Sequence, residues 1–139
     1  MNCVLKSFCF AADVEEEELL GYLGHNGRGV INPELPEPYC YRAFDVHEIS
    51  RVLFDFGFGV TPILKYDTVY NSMMQIPKYL VENGDRVQPY LDFYSYCLSN
   101  HNHMIGFRNG VVLDTTGKIT DPKSFDYQCI YLITKRYNY

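Results

Sequence analysis

Three residues of this chain, Cys3, His103 and Asp114, are of the types that together attack carbonyl groups. A thiol reacts as its thiolate, and both a neighbouring imidazole and the amino end of a helix favour that form. Cys3 stands in the first turn of an expected helix. Asp114 can hold the imidazole of His103 in one tautomer by accepting its second N–H. The residue types therefore predict a nucleophile, a general base and an orienting carboxylate.

A β-hairpin is expected to bring His103 and Asp114 together. Residues 103–107 pair with residues 111–114 across the turn Arg108-Asn109-Gly110. Asn-Gly is the strongest short-range hairpin signal, because both residues tolerate the positive φ of tight turns. Counting outward from the turn places the imidazole and the carboxylate at the open end.

Each of these residues also has a commoner role. A cysteine in an amphipathic helix is usually a small core residue. A histidine at a strand start is usually a hydrogen-bonded polar residue, and an aspartate at a strand end usually forms a turn. His101 is the rival of His103, two residues earlier on the same strand face. We favour His103 because the apolar segment 104–107 follows it directly.

The remaining pattern indicates helices first and antiparallel strands later. We expect helices over 2–12 and 45–56 and from Asp13 to Gly24, an ambiguous apolar segment over 68–84, and strands over 59–65, 90–98 and 127–133 beside the hairpin. Asn2, Asp13 and Asp45 are the expected N-caps, the last two in capping boxes. Pro62 assigns its strand to a sheet edge or to a bulged position. This order is typical of an α+β fold, and we expect one domain over 1–139.

His25 opens a long segment, 24–43, that is rich in glycine and proline. Loops of this length in a small domain usually have a function or are ordered by special packing. Two roles are open for His25: it orders the loop by hydrogen bonds, or it lines a pocket.

Composition excludes several classes of function. The net charge is -5, and no lysine and arginine cluster exceeds the pair 135–136, so we expect no nucleic-acid partner. No apolar run approaches the ~20 residues of a membrane span, and the amino end does not resemble a signal peptide. The five cysteines include no CxxC pair, which favours reduced thiols in a cytoplasmic protein.

Zinc is the main alternative use of the four histidines. No histidine or cysteine pair has the spacing that makes a zinc site convincing. Glu48 follows His47 without the second histidine of a metalloprotease helix. We therefore predict no metal and no cofactor.

Two segments resemble the papain-like cysteine peptidases, most closely the small C39-like type. They are NCVLKSFCFAADVEEEELLGYLGHNG (2–27) and HMIGFRNGVVLDTTG (103–117). The first resembles a nucleophile helix followed by a short second helix. The second resembles the His-to-Asp hairpin of those enzymes, with Thr115 where proline is usual. The chain is also similar to small phage-encoded proteins that begin Met-Asp/Asn-Cys-Val-Leu, through its segments 23–27 and 60–63.

The resemblance implies a papain-like fold with N-terminal helices packed on an antiparallel sheet. It further implies a Cys-His-Asp hydrolase that acts on a protein or peptide, and, through the phage kinship, on a host protein in the host cytoplasm. Papain-like enzymes complete the oxyanion hole with a glutamine before the nucleophile, but only Met1 and Asn2 precede Cys3 here. The second donor is then expected from Asn2, His25, Asn102 or another backbone amide.

A second function stays open beside the hydrolase. The same scaffold without turnover would bind or sequester a partner. The 13 tyrosines favour this alternative, because tyrosine is enriched in contact surfaces.

Overall fold

The computed structural model describes residues 3–64, 94–100 and 103–135. Within these ranges the chain forms three α-helices and five β-strands. They are α1 (Cys3–Ala12), α2 (Glu16–Leu23), α3 (Val46–Asp55), β1 (Phe58–Leu64), β2 (Ser95–Ser99), β3 (Met104–Arg108), β4 (Val111–Leu113) and β5 (Cys129–Lys135). One turn of 3₁₀ helix, Pro122–Ser124, precedes β5. The predicted α+β class is confirmed. None of the described helices has the length and apolar character needed to cross a membrane.

The five strands form one antiparallel sheet in the order β1-β5-β2-β3-β4. The last strand of the chain therefore lies between β1 and β2. Among the strands that the structure describes, β1 lies at the edge of the sheet, and Pro62 lies opposite Tyr131 of β5, as predicted. A proline without an N–H is tolerated there, because an edge strand has bonding partners on one side only.

Each face of the sheet has its own core. The helices cover one face, with a core of Leu5, Phe8, Cys9, Ala11, Ala12, Leu19, Phe44, Ile49, Leu53, Cys97, Met104 and Ile133. The segment between β4 and β5 covers the other face, with a core of Tyr96, Leu98, Ile105, Phe107, Phe125, Tyr127 and Ile130. Both faces are apolar, which explains the four-residue buried run of β3.

Helix α1 lies directly on β3 and runs in the same direction. A Cβ atom on Gly106 would lie 2.7 Å from the carbonyl oxygen of Ser7, so helix and strand backbones touch. Further along both elements, the guanidinium of Arg108 pairs with the carboxylate of Asp13 at 2.5 Å. The amino end of α1, with Cys3, therefore lies at the end of the sheet where β3 begins.

One predicted helix start is wrong, and one predicted helix end and one predicted helix start are right. Helix α2 begins at Glu16 and is preceded by Glu15, so Asp13 does not cap it. Asp13 has a φ of 58° and pairs with Arg108. The end of α2 at Gly24, in the left-handed conformation, is confirmed, as is the capping box of Asp45 and Glu48.

The hairpin forms with a shorter turn than predicted. Arg108 pairs with Val111, so the turn has two residues, Asn109 and Gly110, with φ values of 52° and 78°. This is the positive-φ pair that a type I′ turn requires. Strand β5 begins at Cys129, not at 127. The expected segment 68–84 and the start of the strand predicted over 90–98 lie outside the described residues.

Replacing Gly106 with Ala is expected to lower the free energy of unfolding by about 2 kcal/mol, because the added Cβ would force α1 away from β3. Gly21 in α2 is the matched control, since nothing lies within 4 Å of a Cβ built there. Gly21→Ala is expected to raise the same free energy by about 0.5–1 kcal/mol. Urea denaturation measures both values. Unchanged or increased stability of Gly106→Ala would contradict the packing of α1 on β3.

Candidate functional site

Asp114 is a buried carboxylate that the following loop surrounds with donors. Its side chain is 1% exposed. It accepts hydrogen bonds from the backbone N–H groups of Thr116 at 3.0 Å, Lys118 at 3.1 Å and Ile119 at 2.8 Å, and from the Thr116 hydroxyl at 2.8 Å. A buried charge is tolerated only with such partners. The loop therefore fixes both the position and the charge of this group.

His103 is bound to this carboxylate. Its Nε2 lies 2.5 Å from Oδ1 of Asp114, and the edge of its ring meets Phe125 at a centroid distance of 6.2 Å. The backbone N–H of His103 donates to Oδ1 of Asn100 at 3.0 Å, which fixes the chain just before β3. Since Nε2 is engaged by the carboxylate, Nδ1 is the nitrogen left for proton transfer.

The register of β3 and β4 explains why the two side chains meet. Gly106 lies opposite Leu113, and the same register places Asp114 opposite Ile105. His103 is two residues from Ile105 and so is the diagonal cross-strand neighbour of Asp114. Long side chains in that relation are within reach of each other.

The charge of Asp114 is strongly stabilised. Burial acts to raise the pKa of this carboxyl, but the hydrogen bonds from His103, Ile119 and Thr116 outweigh it and hold the pKa well below its usual range. The group therefore remains a carboxylate at neutral pH. Its Oδ1 on Nε2 of His103 fixes the orientation of the ring, as an orienting carboxylate does for a general base.

Cys3 lies at the same end of the sheet but is not bonded to His103. It begins α1, is partly exposed, and packs against the core on the helix side of the sheet. Within the described ranges, Cys3 and His103 share no hydrogen bond. The structure thus brings together His103 and Asp114, and it places Cys3 near the start of β3.

The other cysteines are less accessible than Cys3. Cys9, Cys40, Cys97 and Cys129 are buried, and Cys3 is the partly exposed one. Burial raises the pKa of Cys9 to about 12 and that of Cys97 well above its ordinary value. Buried thiols of this kind are inert.

Known proteins give no family for this chain. No protein-family model, no curated protein and no solved structure matches it. Function therefore has to be inferred from the site itself.

His25 orders its loop through both ring nitrogens. Its Nε2 lies 3.0 Å from Oε2 of Glu48, and the N–H of Gly27 donates to its Nδ1 at 3.0 Å. The ring stacks on Phe44 at a centroid distance of 5.0 Å. Since Nδ1 accepts, Nε2 carries the proton, and that proton is directed at Glu48. The loop-ordering role, one of the two left open by the sequence, matches this geometry, and no ring N–H remains for an oxyanion.

Glu48 joins this loop to α3. Burial acts to raise the pKa of Glu48, but the N–H of Asp45 and the ring of His25 outweigh it, so the pKa is lowered. The same carboxylate therefore closes the capping box and holds the loop.

Three sequence-predicted residues lie outside the described part of the chain: Asn2, His101 and Asn102. The structure does add partners that the sequence reasoning missed, the donors from Thr116, Lys118 and Ile119 to Asp114. The sequence does carry a signal for the bond from Thr116. An aspartate followed by two threonines and a glycine is typical of a turn in which the aspartate accepts from the backbone N–H two residues later. Across the described ranges, no group of three or more His, Cys, Asp or Glu residues is arranged to hold a metal ion.

Replacing Asp114 with Asn is expected to lower the free energy of unfolding by about 3 kcal/mol at pH 7, because an amide would direct a donor at other donors. The folded pKa of Asp114 is depressed. Its stabilising effect is therefore present above the unfolded value of about 4 and is lost as pH falls toward the folded value. The difference between wild type and variant should shrink below about pH 4.

Denaturant titrations between neutral and acid pH measure this difference. Asp121→Asn is the control, because Asp121 caps the 3₁₀ turn by accepting from the N–H of Lys123, a role that asparagine fills equally well. A pH-independent difference for Asp114→Asn would contradict the ionised, hydrogen-bonded state of the carboxylate.

Replacing His25 with Ala is expected to expose the loop to proteolysis, because it removes the bonds to Gly27 and Glu48. Glu34 is an exposed cleavage point for a glutamate-specific protease. Cleavage there should be several-fold faster than in wild type. The exposed His47, replaced by Ala, is the control, and equal cleavage of both variants would remove the ordering role of His25.

Proposed function

We propose that this protein is a papain-like thiol hydrolase with Cys3 as nucleophile, His103 as general base and acid, and Asp114 as the orienting carboxylate. The observation that carries the proposal is the bond from Nε2 of His103 to the buried Asp114. Burying a carboxylate costs folding free energy, and the many donors that Asp114 needs must be held in place by the residues after the short strand β4. This carboxylate has a chemical role if His103 must carry a positive charge during the reaction.

The proposed reaction runs through an acyl-enzyme. Nδ1 of His103 takes the thiol proton of Cys3, and Sγ forms a bond to the substrate carbonyl carbon. The bond from that carbon to the leaving group breaks, and the leaving amine takes the proton from His103. Water then gives a proton to His103 and attacks the thioester, which releases the acid and returns the proton to Sγ.

The position of Cys3 supports its role. Cys3 lies in the first turn of α1, at the positive end of the helix dipole. The direction of α1 on β3 brings that turn to the end of the sheet where β3 begins. Nucleophile and base are often further apart before substrate binds than during the reaction.

The triad is compatible with several acyl substrates. Amide, isopeptide and thioester bonds all react through the same intermediate, so peptidase, isopeptidase and glutamine deamidase are the reactions included. The substrate we propose is a protein or peptide, a host protein if the chain is phage-encoded. The five free thiols fit a reducing cytoplasm.

Alkylation by iodoacetamide tests the pairing of Cys3 with His103. Wild type is expected to react at Cys3 at about pH 6, at least about ten times faster than His103→Ala, because the imidazole maintains the thiolate. Asp114→Asn should also react more slowly, and Asp121→Asn should match wild type. Peptide mapping locates the label, and Cys3→Ala should remain unlabelled.

A catalytically silent scaffold that binds a partner is the second candidate. The absence of a hydrogen bond between Cys3 and His103, among the residues described, favours it. Equal alkylation rates in wild type and His103→Ala would select this candidate and reject the hydrolase.

A further inference from the structure

A cavity of about 450 Å³ lies over the first turn of α3. It is lined by Arg42, Asp45, His47, Glu48 and Arg51. We call it the arginine cavity. The hydrolase proposal uses none of these residues.

The acidic groups of the arginine cavity already have donors. Oδ1 of Asp45 accepts from the N–H of His47 at 2.8 Å. Oε1 of Glu48 accepts from the N–H of Asp45 at 2.9 Å, and its Oε2 is bound to His25 at 3.0 Å. These carboxylates therefore hold the loop and the helix start.

The two arginine side chains of the arginine cavity have fewer close partners than its carboxylates. The Arg42 side chain is 52% exposed, and its nearest acidic atom, Oε2 of Glu48, is 3.7 Å away. Arg51 is exposed and has no ion pair with any residue of the described ranges. Each guanidinium carries five N–H donors in a planar fork. The cavity therefore offers many donors and few unused acceptors, which fits an oxyanion ligand.

The arginine cavity lies at the same end of the sheet as Cys3. Helix α3 leads directly into β1, and β1 begins at Phe58, opposite Lys135, at the end of the sheet where β3 finishes. Because Ile49 and Leu53 of α3 pack in the core on the sheet, the helix runs back along it and starts at the other end. Helices α1 and α3 thus both begin at the end of the sheet that carries His103.

We propose that the arginine cavity is a substrate subsite that binds the carboxylate of an acidic side chain in a peptide, through Arg42 and Arg51. This inference rests on the proposed hydrolase and gives it a substrate class: peptides with a glutamate or aspartate near the bond that reacts. The forked donors of a guanidinium give geometric selectivity for a carboxylate as well as attraction.

Peptide titrations of ¹⁵N-labelled Cys3→Ala protein, followed by NMR, test the subsite without turnover. The probes are the capped tripeptides Ala-Glu-Ala and Ala-Gln-Ala, which differ in one charge, and inorganic phosphate. The Glu peptide should bind at least about ten times more tightly than the Gln peptide and shift the amide signals of 45–51. Phosphate should compete with it, because both ligands present oxyanions to the same donors.

The double variant Arg42→Gln/Arg51→Gln, made in the Cys3→Ala protein, should lose the preference for the Glu peptide over the Gln peptide. Arg28→Gln in the same protein should retain it. Arg28 is an exposed arginine of the same loop that does not line the arginine cavity. Equal affinity for the two peptides, or a preference that survives in the double variant, would overturn the subsite. So would binding of phosphate with no preference for the Glu peptide.

The alkylation and titration experiments distinguish failure of the hydrolase proposal from failure of the subsite proposal. A Glu preference in a protein whose Cys3 is not activated by His103 would remove the hydrolase and leave an acidic-peptide binding site. Activated Cys3 without a Glu preference would remove the subsite alone.

Discussion

The buried charge of Asp114 is the constraint on which the rest of the candidate site depends. A carboxylate that is 1% exposed must receive hydrogen bonds, and the segment after β4 supplies them from Thr116, Lys118 and Ile119. Because those donors fix the carboxylate, they also fix the ring of His103, which binds Oδ1 through Nε2. The same segment carries Phe125, which packs beside that ring and closes the second core.

A second constraint is the close approach of α1 to β3. Gly106 is needed because any larger residue would meet the Ser7 carbonyl oxygen. This contact, with the pair of Arg108 and Asp13, orients the helix so that its amino end lies where β3 begins. The chain thereby places a helix start, with its thiol, at the end of the sheet that carries the imidazole. The capped start of α3 lies at that end as well.

Local signals were sufficient to predict several elements. The Asn109-Gly110 turn, the left-handed Gly24 and the capping box of Asp45 and Glu48 each depend on neighbouring residues, and the structure has all three. The start of α2 could not be predicted in this way. Asp13 is at a good capping distance in sequence, but its carboxylate pairs with Arg108, far along the chain. The bond of Glu48 to His25 was missed for the same reason, since it depends on how the loop returns to α3. Whether Cys3 reaches His103 also depends on helix-to-sheet packing, so the triad stays a prediction.

The most direct test of the triad is a crystal structure of the protein after reaction with a peptide vinyl sulfone, an electrophile that forms a stable thioether with an activated thiol. We expect the adduct on Sγ of Cys3 and Nδ1 of His103 within about 4 Å of that sulfur, with Asp114 still bound to Nε2. An unmodified Cys3, or a sulfur more than about 5 Å from both ring nitrogens of His103, would contradict the hydrolase.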